Sequence, residues 1–148
     1  MGEIAGWQCE DCGSGEEFFS GGGMLSYNEP RVVGGAKEGM YGPAMKALLG
    51  DGIPSGWAVI SEKCFFTCGW CGSIIEGETF TIDDGSGGWL IYHVSPEPCA
   101  ECGEHLTTWD EKVPLTDREI TARCDKRAEE GCPECGSKNV LLQMGCWD

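Results

Sequence analysis

The sequence is poor in basic residues and in histidine. It has 10 lysines and arginines against 25 aspartates and glutamates, which gives a formal net charge of −15, and only 2 histidines. Zinc ribbons that bind nucleic acid use basic faces, which displace counterions from the phosphates. The densest basic segment here, 118–127, is interleaved with acidic residues. We therefore expect no nucleic-acid partner and keep a zinc-ribbon nucleic-acid-associated factor as the last alternative.

Long apolar segments are also missing. No uncharged apolar stretch approaches the roughly 18 residues that a membrane-spanning helix needs. The first twelve residues, MGEIAGWQCEDC, contain neither the basic nor the apolar region of a secretion signal. We expect a cytoplasmic protein without membrane contact, whose thiols stay reduced and available to metal.

Known catalytic and phosphate-binding motifs are absent from the sequence. It contains no HExxH motif, and His93 and His105 lie 12 residues apart without an obvious catalytic partner. A catalytic zinc keeps an open coordination position, typically beside histidine or carboxylate ligands. The glycine-rich run at 34–39 lacks the spacing of a phosphate-binding loop and is interpreted as turns. The sequence therefore predicts that the protein is not an enzyme.

What the sequence does have is cysteine, 11 in all, of which eight fall in four copies of the pattern CxxCG. A CxxC turn places two thiolates on one side of a tight loop, and the glycine can take a positive φ that brings backbone N–H groups near the sulfurs. An odd cysteine count without a secretion signal argues against a disulfide framework. The sequence predicts two Zn²⁺ per chain with these ligands: Cys9, Cys12, Cys68, Cys71, Cys99, Cys102, Cys132 and Cys135.

Two pairings of these four knuckles are possible. The sequential pairing joins the first knuckle to the second and the third to the fourth, whereas the nested pairing joins the two middle knuckles and the two outer ones. Loop closure hardly separates them, because its cost grows only with the logarithm of loop length. The Asp- and Gly-rich stretch at 83–88 is interpreted as a turn or a linker; it is the best candidate domain boundary and, as a linker, favours the sequential pairing.

The expected fold is a small metal-stabilised α+β protein built from two zinc-ribbon or rubredoxin-like modules, residues 1–84 and 85–148. Each module has short antiparallel strands and one inserted helix. Pro43 begins the first helix, at 41–50, and its apolar residues Met45, Leu48 and Leu49 are expected to cover the first metal module. A capping box of Thr116 and Glu119 begins the second. Strands are predicted at 57–60, 64–67, 73–82 and 89–94. With 24 glycines in 148 residues, folding is expected to depend on the metal.

Several features occur in a characteristic order along the chain. The first knuckle is followed by the 18–27 stretch, then by Tyr41-Gly42 at the start of a helix, by the later knuckles, and by a terminal Trp147-Asp148. This order resembles a group of small, uncharacterised bacterial double zinc-ribbon proteins. The resemblance implies two zinc ribbons with ligands at the eight knuckle cysteines, and it implies no activity.

The function that the sequence favours is a non-enzymatic zinc-binding protein that contacts another protein. The negative charge favours a basic partner. Trp70, inside the second knuckle, is expected either to project outward as an interface anchor or to fold back onto its own module. The alternative is a rubredoxin-like iron protein for electron transfer, because Cys132-Pro-Glu-Cys135-Gly resembles a rubredoxin knuckle and an all-thiolate cage accepts Fe as well as Zn²⁺.

Three cysteines lie outside the knuckles. Cys64 is either a strand residue packed in the core or a substitute ligand near Cys68, which would suit a zinc-storage protein. Cys124 falls on the apolar face of the second helix and is expected to be a small buried hydrophobe. Cys146 has no predicted role.

Overall fold

A computed structural model of the chain describes residues 2–22, 29–94, 98–104 and 114–147. These residues form six strands and three helices. In chain order they are β1 (Gly2–Cys9), β2 (Gly15–Gly21), α1 (Glu29–Glu38), α2 (Gly42–Leu49), β3 (Ala58–Thr67), β4 (Ile74–Asp83), β5 (Trp89–Val94), α3 (Asp117–Glu130) and β6 (Val140–Trp147). No helix within these ranges is both long enough and apolar enough to cross a membrane.

The strands form one antiparallel sheet in the order β5-β4-β3-β2-β1-β6. Two hairpins, β1–β2 and β3–β4, lie side by side and are joined by the pair Gly21 and Lys63. Because β2 and β3 run antiparallel, the tips of both hairpins lie at the same end of the sheet. The first knuckle is the tip of one hairpin and the second knuckle is the tip of the other. The division into modules 1–84 and 85–148 stays a prediction, although the sheet itself continues through the turn at 83–88.

Helices α1 and α2 pack on the β3–β5 half of the sheet. Their buried residues form a core with strand residues; its members are Val32, Ala36, Tyr41, Met45, Leu49, Val59, Phe80, Ile82 and Val94. Burying each large apolar side chain contributes about 1.5–3 kcal/mol. The helix predicted at 41–50 is confirmed as α2. Met45 and Leu49 pack in this core with residues of β3 and β4, which lie within the predicted first module, and with Val94 of β5.

Helix α1 replaces the turns expected at 34–39. Glycines are unfavourable in helices, so local propensity favours turns here. At Gly35, however, a Cβ would lie 2.6 Å from the Tyr41 ring, and only glycine allows this close contact. Arg31 fixes the same helix to β4 by donating to both carboxylate oxygens of Glu78, at 2.7 and 3.1 Å. These tertiary contacts outweigh the roughly 1 kcal/mol that a glycine costs in a helix. The described residues therefore contain three helices, one more than expected.

Helix α3 packs on the other half of the sheet. Its predicted capping box is confirmed, because the Glu119 N–H donates to the Thr116 hydroxyl at 3.2 Å and the Thr116 N–H donates to the Glu119 carboxylate at 2.7 Å. Ile120 and Cys124 are buried against Trp7 and the other members of a second core. Cys124 is thus the small buried hydrophobe that the sequence predicted.

Candidate metal centres

The eight knuckle cysteines form two clusters of four. Cluster I contains Cys9, Cys12, Cys132 and Cys135, and cluster II contains Cys68, Cys71, Cys99 and Cys102. The pairing is therefore nested, and the sequential pairing favoured by the sequence is wrong. The physical reason is strand pairing. β6 aligns with β1 over its whole length and carries the fourth knuckle to the first, while β5 aligns with β4 and carries the third to the second.

The stretch at 83–88, which favoured the sequential pairing, is the turn between the neighbouring strands β4 and β5. The carboxylates of Asp83 and Asp84 each accept a hydrogen bond from the backbone N–H two residues later, at 2.9 Å. Such side-chain contacts stabilise tight turns. An Asp- and Gly-rich composition therefore marks a turn within the sheet here, and it does not separate the second knuckle from the third.

All four knuckles have the same backbone. The N–H of the first cysteine donates to the carbonyl oxygen five residues later at 2.7–2.8 Å. The N–H of the glycine donates back to the carbonyl of that cysteine at 2.8–2.9 Å. The glycines have φ between 74° and 77°, a region that favours glycine. The CxxCG pattern thus specifies one turn, repeated four times.

The sulfur atoms of each cluster have the spacing of a tetrahedral site. In cluster I the Sγ–Sγ distances are 3.6 Å for Cys9–Cys135 and 3.5 Å for Cys12–Cys132. In cluster II the two cross-knuckle distances are both 3.6 Å, and within each cluster all four sulfurs lie within 4.8 Å of one another. Four thiolates around zinc, at about 2.3 Å from the ion, lie about 3.8 Å apart. The residues therefore fit a tetrahedral ion with little movement.

Burial differs between the two cysteines of every knuckle. The first cysteine is at most 3% exposed, whereas the second is exposed to solvent. Each cluster consequently has one side in the protein interior and one side at the surface. An ion held there is anchored by the buried pair and remains within reach of solvent on the other side.

Thiol pKa values within each cluster are shifted strongly, in both directions. Hydrogen bonds with Ser14 lower the pKa of Cys12 to about 6, and hydrogen bonds with Ser73 do the same for Cys71. For Cys102 and Cys135, backbone hydrogen bonds favour the thiolate, but partial desolvation and the neighbouring cysteines outweigh them and raise the pKa to about 12. Four sulfurs at this spacing need a compensating positive charge to be ionised together. A divalent cation supplies that charge.

Each cluster has one knuckle at the tip of a hairpin, β1–β2 in cluster I and β3–β4 in cluster II. The clusters differ at the residue before the second cysteine of this hairpin knuckle. In cluster I this residue is Asp11, whose carboxylate accepts hydrogen bonds from the hydroxyl of Ser137 and from the side-chain amide of Asn139, the latter at 3.1 Å. In cluster II it is Trp70, whose side chain is 65% exposed. Of the two alternatives for Trp70, the structure has the one in which the side chain projects outward. The same position ties two knuckles together in one cluster and leaves an aromatic side chain in solvent in the other.

A cleft of about 340 Å³ lies between cluster II and the half that carries cluster I. Its lining includes Cys71 and Cys99 on one side and Trp7 and Arg127 on the other. The guanidinium of Arg127 lies 5.6 Å from the centre of the Trp7 ring, and the Trp7 indole N–H donates to Glu16 at 2.8 Å.

Among the described residues, the remaining cysteines and His93 lie outside the clusters. Cys64 is buried beside Phe66, where desolvation raises its pKa to about 12, so the substitute-ligand alternative does not describe the structure. Cys146 is an exposed residue of β6. His93 shares a 2.9 Å hydrogen bond with Thr79, and His105 falls outside the described residues.

Sequence reasoning missed β1 and β6, the strands that bring the outer knuckles together. β1 contains two glycines, which weakened its strand pattern. β6 offered a usable signal, a run of eight uncharged residues that is separated from the fourth knuckle by three residues. No family model matches the chain, and no curated protein or solved structure matches it significantly. The functional interpretation consequently depends on the chain's own geometry.

Proposed function

We propose that the chain is a non-enzymatic zinc-binding protein whose two metal centres are structural and whose work is to contact another protein. The observation that carries the proposal is the grouping of eight cysteine sulfurs into two tetrahedral sets. Four thiolates fill every position around a tetrahedral ion, which is typical of structural zinc sites. A catalytic zinc site would need a position left for water or substrate.

The structural role is supported by the chain segments that each cluster joins. Cys9 and Cys135 are 126 residues apart in the sequence, and Cys68 and Cys102 are 34 residues apart. Cys9 and Cys132 also belong to the core that contains Trp7 and Ile120. An ion in cluster I thus fixes β1, β2, α3 and β6 together, so that binding free energy becomes folding free energy.

The contact role is supported by Trp70 and by the charge. Trp70 belongs to none of the buried clusters, and the equivalent position in cluster I is used for structural hydrogen bonds. Large aromatic side chains are enriched among the residues that dominate binding at interfaces. A net charge of −15 favours a basic partner and speeds its encounter. We expect Trp70 to be an anchor of that contact.

Electron transfer by iron is the second candidate, because the second cysteine of each knuckle is exposed and an ion there lies near the surface. Elemental analysis with a visible absorption spectrum, on protein purified without added metal, separates the two. Two zinc ions and no colour support the structural proposal. Iron with thiolate charge-transfer bands would replace it by electron transfer.

A Trp70→Ala variant tests the contact role. We expect two zinc ions per chain as in the native protein, together with at least a tenfold weaker affinity for a partner identified by mass spectrometry and measured by calorimetry. Trp89→Ala is the matched control, because Trp89 is also exposed but lies on β5, away from the knuckles. Equal affinity of Trp70→Ala and the native chain would contradict the role of Trp70.

A further inference from the structure

Strand β6 is an outer strand of the described sheet and carries neither charge nor proline. It pairs with β1, and no other strand among the described residues pairs with its second edge. Its eight residues include no charged residue and no proline, and Leu141, Leu142 and Met144 are exposed, the last to 69%. Exposed edges normally carry charge, proline or a bulge that prevents another strand from adding. The edge of β6 is therefore suited to pairing with an extended segment.

A groove of about 380 Å³ lies on the face of the sheet that α3 covers, between β2, β1, β6 and the first turns of α3. Ala5 forms part of its floor, between Met144 on β6 and Phe18 on β2 in the strand register. The small alanine side chain leaves space between these two larger ones. Ile120 contributes a further apolar wall from α3.

Two carboxylates make the rim of the groove acidic. Glu3 precedes Ala5 by two residues on β1, and Asp117 lies in the first turn of α3. The Ser20 hydroxyl donates to Asp117 at 2.7 Å, which holds that carboxylate toward the sheet. The site thus combines an apolar floor with negative charge. A lysine or arginine has the matching chemistry, an aliphatic stem that ends in a cation.

Charge also distinguishes between the possible occupants of this surface. A second copy of the chain would bring its own net charge of −15 against the same acidic rim, which opposes association. A basic segment would be attracted by both the rim and the net charge. In such a complex, main-chain hydrogen bonds to the strand edge give affinity, and side-chain contacts in the groove give specificity.

We propose that β6 binds an extended, basic segment of a partner protein as a seventh strand, with one lysine or arginine side chain in the groove between Glu3 and Asp117. This inference rests on the proposed contact function and names a surface and a partner chemistry for it. The surface is separate from Trp70, so each can be tested without the other.

Synthetic peptides test the preference for charge. Four fluorescent twelve-residue peptides of alternating valine and threonine would be titrated into the zinc-loaded full chain, identical except for arginine, glutamine, glutamate or proline at one central position. Fluorescence anisotropy is expected to show the arginine peptide binding at least tenfold more tightly than the other three. Hydrogen exchange should slow at the β6 amides. Equal affinity for the arginine and glutamate peptides would overturn the proposal.

Variants locate the site. Met144→Lys places a cation in the groove and is expected to lower the affinity for the arginine peptide at least tenfold. Met40→Lys is the matched control, because Met40 is exposed between α1 and α2 and should leave affinity unchanged. Glu3→Gln, a surface change, is expected to weaken binding three- to fivefold and to reduce its salt dependence. Native affinity in both Met144→Lys and Glu3→Gln would overturn the site.

Analytical sedimentation of the native chain tests whether a second copy of the chain occupies this surface. We expect a monomer. A dimer that dissociates in the Met144→Lys variant would show that the surface binds a second copy and not a partner segment. If the peptides fail but Trp70→Ala weakens an identified partner, the contact function stands and the β6 site falls. If neither Trp70→Ala nor Met144→Lys changes the affinity of that partner, both fall.

Discussion

Clusters I and II have the same number of cysteines, the same turns and the same sulfur spacing, but different surroundings. The buried cysteines of cluster I belong to a core of seven residues that also contains Trp7, Phe18 and Phe65. The buried cysteines of cluster II, by contrast, form a small buried group with Ile75 alone. Asp11 links the knuckles of cluster I, whereas Trp70 points into solvent in cluster II. The comparison teaches that one local motif can either fix a core or carry an exposed side chain, depending on what packs around it.

The largest expected effect comes from removing one buried ligand from each cluster. Structural zinc contributes about 10–16 kcal/mol in small zinc modules, comparable to the whole stability of a domain. Cys132→Ala should lose one ion and unfold α3 with β1, β2 and β6. Cys99→Ala should also lose one ion but keep the α1–α2 core, which contains no cysteine. Metal analysis and hydrogen exchange measure both results, and equal loss of protection in the two variants would remove the difference between the clusters.

Acid release of metal probes a feature that the clusters share. The hydrogen bonds with Ser14 hold the pKa of Cys12 at about 6, below the ordinary value of 9.0, and those with Ser73 do so for Cys71. A thiol whose pKa is lower in the folded chain than in the unfolded chain stabilises the folded state at pH values above the unfolded-state pKa. This contribution is lost as the pH falls through the folded-state pKa. Ser14→Ala and Ser73→Ala should each raise that pKa, so that one ion leaves at a higher pH.

A chromogenic chelator would follow this release against pH in the two serine variants and in the native chain. Ser137→Ala is a useful comparison, because this variant removes a hydroxyl that donates to Asp11 and not one that contacts Cys12. Release curves of Ser14→Ala and Ser73→Ala that coincide with the native curve would show that these hydroxyls do not support the thiolates.

A smaller effect distinguishes the two equivalent positions in the hairpin knuckles. Asp11→Ala removes hydrogen bonds from Ser137 and Asn139 and should lower the free energy of unfolding by about 1–2 kcal/mol. Trp70→Ala should change it by less than about 0.5 kcal/mol, because the ring is mostly in solvent. Urea unfolding with metal content held constant gives both values. A larger loss of unfolding free energy for Trp70→Ala would show that the Trp70 ring packs against the protein and stabilises the fold.

The smallest expected effect concerns cysteines that hold no metal. Burial raises the pKa of Cys64 to about 12, so at pH 8 its thiol should resist iodoacetamide, while the exposed Cys146 reacts. The raised pKa also means that Cys64 contributes stability below about pH 9, which is lost as the pH rises toward 12. Peptide mapping after alkylation checks the order of reaction. Modification of Cys64 as fast as Cys146 would show that β3 opens readily.

Local signals predicted a large part of the structure. The four knuckles, helix α2, the capping box of α3 and strands β4 and β5 each depend on residues close together in the sequence. Their turns, caps and alternating apolar residues are therefore visible without tertiary information. Local signals left two alternatives for Trp70, because the equivalent residue of the first knuckle, Asp11, contacts another knuckle while Trp70 projects into solvent.

The rest depends on contacts between distant residues. The knuckle pairing is decided by β6 aligning with β1, for example Gly2 with Trp147, and no local pattern encodes that register. Helix α1 forms despite its glycines because Gly35 admits the Tyr41 ring and Arg31 reaches Glu78. The composition of 83–88 was recognised correctly, but a short turn and a linker use the same residues.

The nested pairing sets an order of events during synthesis on the ribosome. Cluster II has all of its ligands once Cys102 has been made, but Cys9 and Cys12 must wait for Cys135, which follows 33 residues later. At about 5–20 residues per second, that delay is about 2–7 s. During this interval the nascent chain contains all four cysteines of cluster II, whereas Cys9 and Cys12 lack the full set of partners with which they form cluster I.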